Sequence, residues 1–146
     1  MKAPVRIGLV GLDSSHAVWF ARLLNDEAHP WHVPGARVVA AWAGGVEELA
    51  LSRERVAGFS RQVRDECGVA PVETPEAVAE RCDLVLITAV DARTHAPLAR
   101  RLFAAGKPLF IDKPLTLDVA EARELLAEAR TRGVALWSAS ALRFLI

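Results

Sequence analysis

The residues best suited to chemistry open the chain as Gly11-Leu12-Asp13-Ser14-Ser15-His16. They follow the apolar run Val5-Arg6-Ile7-Gly8-Leu9-Val10. They precede Ala17-Val18-Trp19-Phe20-Ala21-Arg22-Leu23-Leu24, which has helical spacing. A strand, a tight turn and a helix aim the helix's first N–H groups beyond the strand end. In an open α/β sheet that is where a dinucleotide's pyrophosphate sits. The glycine fingerprint of such a turn is G-x-G-x-x-G. Counted from Gly11, its second position holds Asp13 and its third holds His16. A carboxylate at position 13 repels a pyrophosphate unless it points away and caps the helix. Ser14 and Ser15 can cap the helix or bind phosphate. His16 adds positive charge if protonated, or packs into the first turn.

The rest of the chain supplies the elements that must position this turn. Arg37–Trp42 reads as a second strand, ending at Gly44-Gly45. Glu47 to Glu66 reads mostly as helix, and Val69–Val72 as a short strand that Pro71 pushes towards a sheet edge. Thr74-Pro75-Glu76 carries an N-cap hydroxyl, a proline at the first helical position and an acid in the first turn. Asp83–Thr88 is the near-continuous apolar run of a strand buried on both faces. A helix from Thr94 to Ala105, a strand Pro108–Asp112, a helix from about Val119 to Arg132 and a last strand Val134–Ser138 follow. Strands alternating with helices imply right-handed crossovers and a doubly wound parallel sheet of about six strands.

Ligands of such sheets bind beyond the carboxyl ends of the strands. Those ends carry Gly11, Leu12, Asp13, Ser14 and Ser15, then Gly44, then Thr88, Ala89, Val90 and Asp91, and lastly Asp112, Lys113 and Pro114. Asp91 either contacts ligand or caps the next helix, and His95 is either a pocket residue or a structural histidine at a helix start. An acid normally follows the second strand to hold the adenosine ribose. Here Ala43-Gly44-Gly45 stands there, with Glu47 the nearest acid and Arg53 further on, so NAD and NADP both stay open.

Composition narrows the partners. Eighteen basic and eighteen acidic residues balance to a formal net charge of zero, which points away from nucleic acid and anionic membranes. The two cysteines, Cys67 and Cys82, form no paired motif and fit a reducing, cytoplasmic setting as small apolar side chains. His29 and His32 flank Pro30-Trp31 in a loop and lack the further ligands of a metal site. At 146 residues, 52% of them apolar, the chain suits one domain with a sheet covered on both faces.

Three segments together resemble a known family. Ala104-Ala105-Gly106-Lys107-Pro108-Leu109-Phe110-Ile111-Asp112-Lys113-Pro114-Leu115 resembles the Gly-Lys…Glu-Lys-Pro segment of the glucose–fructose oxidoreductase and inositol dehydrogenase (Gfo/Idh/MocA) family. His95 stands where that family has a histidine opening the preceding helix, and Ser140-Ala141-Leu142-Arg143-Phe144 is similar to its Arg-Phe after the sixth strand. The resemblance implies a Rossmann-like NAD(P)-binding domain over residues 1–146, which a second, C-terminal domain completes in the family. It implies hydride transfer between NAD or NADP and a carbon bearing a sugar or cyclitol hydroxyl. Lys113 falls on the family's lysine near the nicotinamide, where an ammonium can hydrogen-bond the reacting oxygen. Asp112 is a shorter carboxylate than the usual glutamate, and Pro114 fixes the turn after the strand. The chain ends where the family enters its second domain, so this chain alone is expected to be inactive. Oligomerisation in the family often involves that domain. The alternative is a non-catalytic nucleotide-sensing or scaffold module with an eroded fingerprint.

Overall fold

A computed structural model of the chain describes residues 3–140. The strands are β1 (Val5–Val10), β2 (Ala36–Trp42), β3 (Ala70–Pro71), β4 (Leu84–Ile87), β5 (Leu109–Asp112) and β6 (Leu136–Ala139). They form one parallel sheet in the order β3-β2-β1-β4-β5-β6. Between them run α1 (Ser15–Asn25), α2 (Ala50–Arg53), α3 (Val56–Asp65), α4 (Pro75–Arg81), α5 (His95–Leu102) and α6 (Val119–Thr131). The order reverses between β1 and β4, so the opening turn lies at the topological switch point.

Alternation along the central strands builds two cores. Ile7 and Leu9 of β1 and Leu86 of β4 face Ala17, Val18, Ala21 and Val63 of α1 and α3. Val10, Val85 and Ile87 face Val78, Leu98, Leu102 and Leu125 of α4, α5 and α6. Both faces of these strands are covered, which is why their sequences read as apolar runs rather than alternating ones. Gly8 lets α4 approach β1: a Cβ there would lie 2.2 Å from Val78 Cγ1. The β1–β2 register slips by one residue between Ile7 and Gly8. Beside that bulge the Asn25 side chain supplies partners to Val38 N–H (2.8 Å) and Val38 C=O (2.9 Å), and donates also to Cys67 C=O (2.9 Å).

Helix boundaries follow their chemistry. Thr74 Oγ accepts the Ala77 N–H ahead of α4, and Asp118 caps α6 through the Glu121 N–H. The expected long helix over 47–66 is instead two, α2 and α3, broken at Glu54-Arg55. Within α2 the Ser52 hydroxyl is buried and fixed by two polar partners. A new helix then starts to lay Phe59 and Val63 on the core. The expected strand at 69–72 is reduced to Ala70–Pro71 and does lie at the sheet edge. Among the described residues no helix is long and apolar enough to cross a membrane. Ala141-Leu142-Arg143-Phe144, which carries part of the family resemblance, lies outside the described residues.

Candidate dinucleotide site

The turn after β1 is stitched into the sheet. Gly11 N–H donates to Trp42 C=O (3.0 Å) and Leu12 N–H to Ala43 C=O (2.8 Å). The Thr88 hydroxyl donates to Gly11 C=O (2.6 Å), and the Ser14 hydroxyl to Thr88 C=O (2.7 Å). Gly11 has φ +91°, and a Cβ there would lie 2.6 Å from the Ala89 backbone nitrogen. Only glycine meets both demands. The first turn of α1 contains no acidic residue, and its leading N–H groups have no intrahelical acceptor.

Asp13 is wholly buried. Its carboxyl turns inward, accepting Val90 N–H at 2.9 Å and the Ser52 hydroxyl at 2.6 Å, while Ser52 Oγ accepts Val46 N–H at 2.8 Å. One side chain thereby joins the loops after β1, β2 and β4. It does not cap α1. Ser14 occupies the N-cap position but makes no side-chain cap, because its hydroxyl is committed to Thr88.

Two cavities flank this turn. One, of about 260 Å³, is bordered by Gly11, Asp13, Gly44, Gly45, Trp42 and Arg93 on the β2 side. The other, about 150 Å³ and mostly polar, lies on the β5 side between Ser14, Ser15, His16, Arg55, Asp112 and Lys113. The Lys113 and Arg55 side chains are exposed, and neither has an ion-pair partner among the described residues. A dinucleotide laid across the α1 N-terminus would reach from one cavity to the other. The glycine cradle and the acid-free helix start suit such a ligand, and the Asp13 carboxyl at the edge of the β2-side cavity is engaged by the Ser52 hydroxyl and the Val90 N–H.

Not every expected site residue faces these spaces. Thr88 is fully buried and fastens the turn. His95 is also fully buried, with Nε2 2.8 Å from Ala89 C=O and Nδ1 2.8 Å from Pro114 C=O. It joins the loop after β4 to the Lys113-Pro114 segment, whose peptide is cis. Asp91 caps the short 3-10 turn Ala92–Thr94 through Arg93 N–H (3.0 Å) and grips the Arg93 guanidinium. Hydrogen bonding from that guanidinium holds the Asp91 carboxyl below its ordinary range. Ala89 and Val90 border the cavities through the loop itself. Asp112 is 7% exposed and accepts the Lys113 N–H. Ser52 and Arg55 escaped the sequence reading, because a continuous helix over 47–66 gave neither a reason to approach the turn. Arg55, at the helix break, borders the same cavity as Ser14 and Ser15.

Comparison with known proteins identifies the family. Residues 5–140 match the family model described as "Oxidoreductase family, NAD-binding Rossmann fold" (GFO_IDH_MocA). The chain belongs to the Gfo/Idh/MocA oxidoreductase family. It is 29% identical over 134 residues to dTDP-3,4-didehydro-2,6-dideoxy-alpha-D-glucose 3-reductase of Actinomadura kijaniata, covering 91% of this chain and 35% of the relative. It is 39% identical over 62 residues to the myo-inositol dehydrogenase Hyg17 of Streptomyces leeuwenhoekii, 42% of this chain and 19% of that protein. Among solved structures, a 3-ketoreductase from Actinomadura kijaniata in complex with TDP-benzene and NADP superposes with a TM-score of 0.67 at 29% identity, over 93% of this chain and 38% of that one. The chain thus spans about a third of the length of the relatives it matches.

Proposed function

We propose that this NAD-binding domain serves an oxidoreductase that moves a hydride between the nicotinamide of NAD or NADP and a sugar- or cyclitol-like hydroxyl carbon. The observation that carries the reading is the shared polar cavity, where Lys113 meets Ser14 and Ser15 of the pyrophosphate turn. The relatives support the substrate class, since one acts on a dTDP-sugar and another on myo-inositol by name.

In this reading the loop from Gly11 to Ser15 and the α1 N-terminus hold the pyrophosphate, with Arg55 above them. Gly44 leaves room for the adenosine side, while Ala89, Val90 and Pro114 border the nicotinamide side. Bound there, the dinucleotide supplies the hydride acceptor or donor. The Lys113 ammonium donates a hydrogen bond to the substrate oxygen as charge develops on it. Asp112 anchors the lysine's backbone, and His95 holds the segment that carries both.

The scaffold alternative rests on the two fingerprint glycines replaced by Asp13 and His16, and the two hydrogen bonds that engage the Asp13 carboxyl weigh against it at the first of these positions. Titration of the chain with NADH and NADPH, followed by energy transfer from its four tryptophans, tests the reading. Saturable transfer that the oxidised cofactor displaces supports it and ranks the two cofactors. No transfer with either cofactor counts against it.

A further inference from the structure

Ser52 and Arg55 flank the break between α2 and α3. Ser52 is wholly buried, and its hydroxyl donates to the Asp13 carboxyl at 2.6 Å while accepting the Val46 N–H at 2.8 Å. Its backbone carbonyl accepts the Arg55 N–H at 3.1 Å. Arg55 occupies the N-cap position of α3, and its exposed side chain borders the polar cavity of Ser14 and Ser15. A chain of hydrogen bonds thus runs from the second fingerprint position, through Ser52, to the backbone of Arg55.

The charges around that cavity are unevenly committed. Asp112, the acid that lines it, accepts the Lys113 N–H at 2.8 Å through one oxygen and meets His16 Nδ1 through the other. Arg55 has no ion-pair partner among the described residues and makes no side-chain cap. Its neighbour Arg53 differs, because that guanidinium donates to Glu47 C=O at 2.6 Å. A guanidinium carries five N–H donors in a planar fork, which suits two phosphate oxygens at once.

We propose that Arg55 is a ligand of the dinucleotide's pyrophosphate, and that Asp13 and Ser52 are positioning residues that hold it in place. The inference rests on the dinucleotide reading above. In a full fingerprint the second glycine lets the backbone approach the pyrophosphate closely. Here Asp13 stands at that position and anchors the segment that carries a cation instead. Charge-assisted hydrogen bonds from Arg55 then add to those of the leading N–H groups of α1. The departure from the fingerprint and the helix break are two parts of one device.

Titration of the 15N-labelled chain with NADH, ADP and adenosine separates the phosphate contribution from the rest. Arg55→Ala should weaken NADH and ADP by roughly ten-fold while leaving adenosine, which has no phosphate, within about two-fold. Wild-type affinity for ADP should fall as salt rises from about 50 to about 300 mM, and less steeply in Arg55→Ala. Arg55→Lys keeps the charge without the fork and should recover part of the loss. Ser52→Ala should weaken ADP in the wild type but not further in Arg55→Ala, because it acts through Arg55. Asp13→Asn takes its place if Ser52→Ala does not fold. Unchanged ADP affinity in Arg55→Ala, or equal weakening of ADP and adenosine, overturns the phosphate assignment. A Ser52→Ala loss as large in Arg55→Ala as in the wild type overturns the positioning role. A wild-type chain that binds neither NADH nor ADP overturns the dinucleotide reading itself, and the proposal with it.

Discussion

Asp13 and Ser52 meet in the interior, 39 residues apart in sequence, with the Ser52 hydroxyl donating to the Asp13 carboxyl at 2.6 Å and neither side chain exposed. The pair converts a missing glycine into a strap between loops. Asp13→Gly restores the fingerprint's second glycine, yet it leaves the Val90 N–H and the Ser52 hydroxyl without this acceptor. Each unsatisfied group costs roughly 1–3 kcal/mol, so a loss of about 2–4 kcal/mol in thermal or urea unfolding is expected. NADH affinity should fall along with it. A variant of unchanged stability that binds NADH more tightly would return the turn to the status of an eroded fingerprint.

Gly11 and Gly35 separate conformational strain from collision. Both have positive φ, but a Cβ at Gly11 meets Ala89 backbone at 2.6 Å, whereas one at Gly35 meets nothing within 4 Å. Gly35→Ala should cost only the strain of its backbone, about 1 kcal/mol. Gly11→Ala adds displacement of the loop after β4 and should exceed about 3 kcal/mol, within the range of severe core lesions. Denaturant midpoints of the two variants decide this. Equal losses would contradict the close approach.

How far the sequence reveals this site depends on distance along the chain. The turn at Gly11, the buried strand at Leu84–Ile87 and the helix opened by Thr74-Pro75 are written in local residue types, and the parallel order follows from their alternation. Asp112 and Lys113 are legible through the family resemblance, which needs only a contiguous segment. The inward rotation of Asp13 is not legible, because it depends on Ser52 and on a helix break that helical spacing conceals. The roles of Thr88 and His95 are hidden for a similar reason. A hydroxyl or an imidazole at a strand's carboxyl end looks alike whether it faces ligand or a carbonyl.

Asn25 tests the bulge in the β1–β2 ladder. Its three hydrogen bonds to Val38 and Cys67 are partly buried. Asn25→Ala should cost about 2–3 kcal/mol by thermal unfolding. Asn25→Asp should be at least as damaging at neutral pH, since a carboxylate would face the carbonyls of Val38 and Cys67. An aspartate variant as stable as the wild type would show that the amide donors contribute nothing there.

Arg6 and Asp83 join the starts of β1 and β4 through side-chain bonds at 2.6 and 3.1 Å, and Asp83 also accepts the Arg6 backbone N–H at 3.0 Å. The Arg6 guanidinium holds the Asp83 carboxyl at about 2, below its ordinary 3.8. A depressed folded-state pKa gives stability that is present above the unfolded value and lost as pH falls through the folded one. Asp83→Asn should therefore be less stable than the wild type at pH 7, by a small margin because the pair is exposed. The two unfolding curves should converge as the pH drops from about 4 to about 2. A gap that stays constant across that window would mean the pair contributes through shape rather than charge.

The proposed dinucleotide crosses the α1 N-terminus between the two flanking cavities. Amide chemical-shift mapping of the 15N-labelled chain during NADH titration tests this most directly. The predicted result is saturable shifts at Leu12–His16, at Gly44–Val46 and at Asp112–Lys113, with ADP reproducing the first two sets and not the third. Saturable shifts confined to the separate cavity of about 580 Å³ that Trp19, Phe20, Phe110 and Trp137 line, with the turn at Gly11 unmoved, would contradict it.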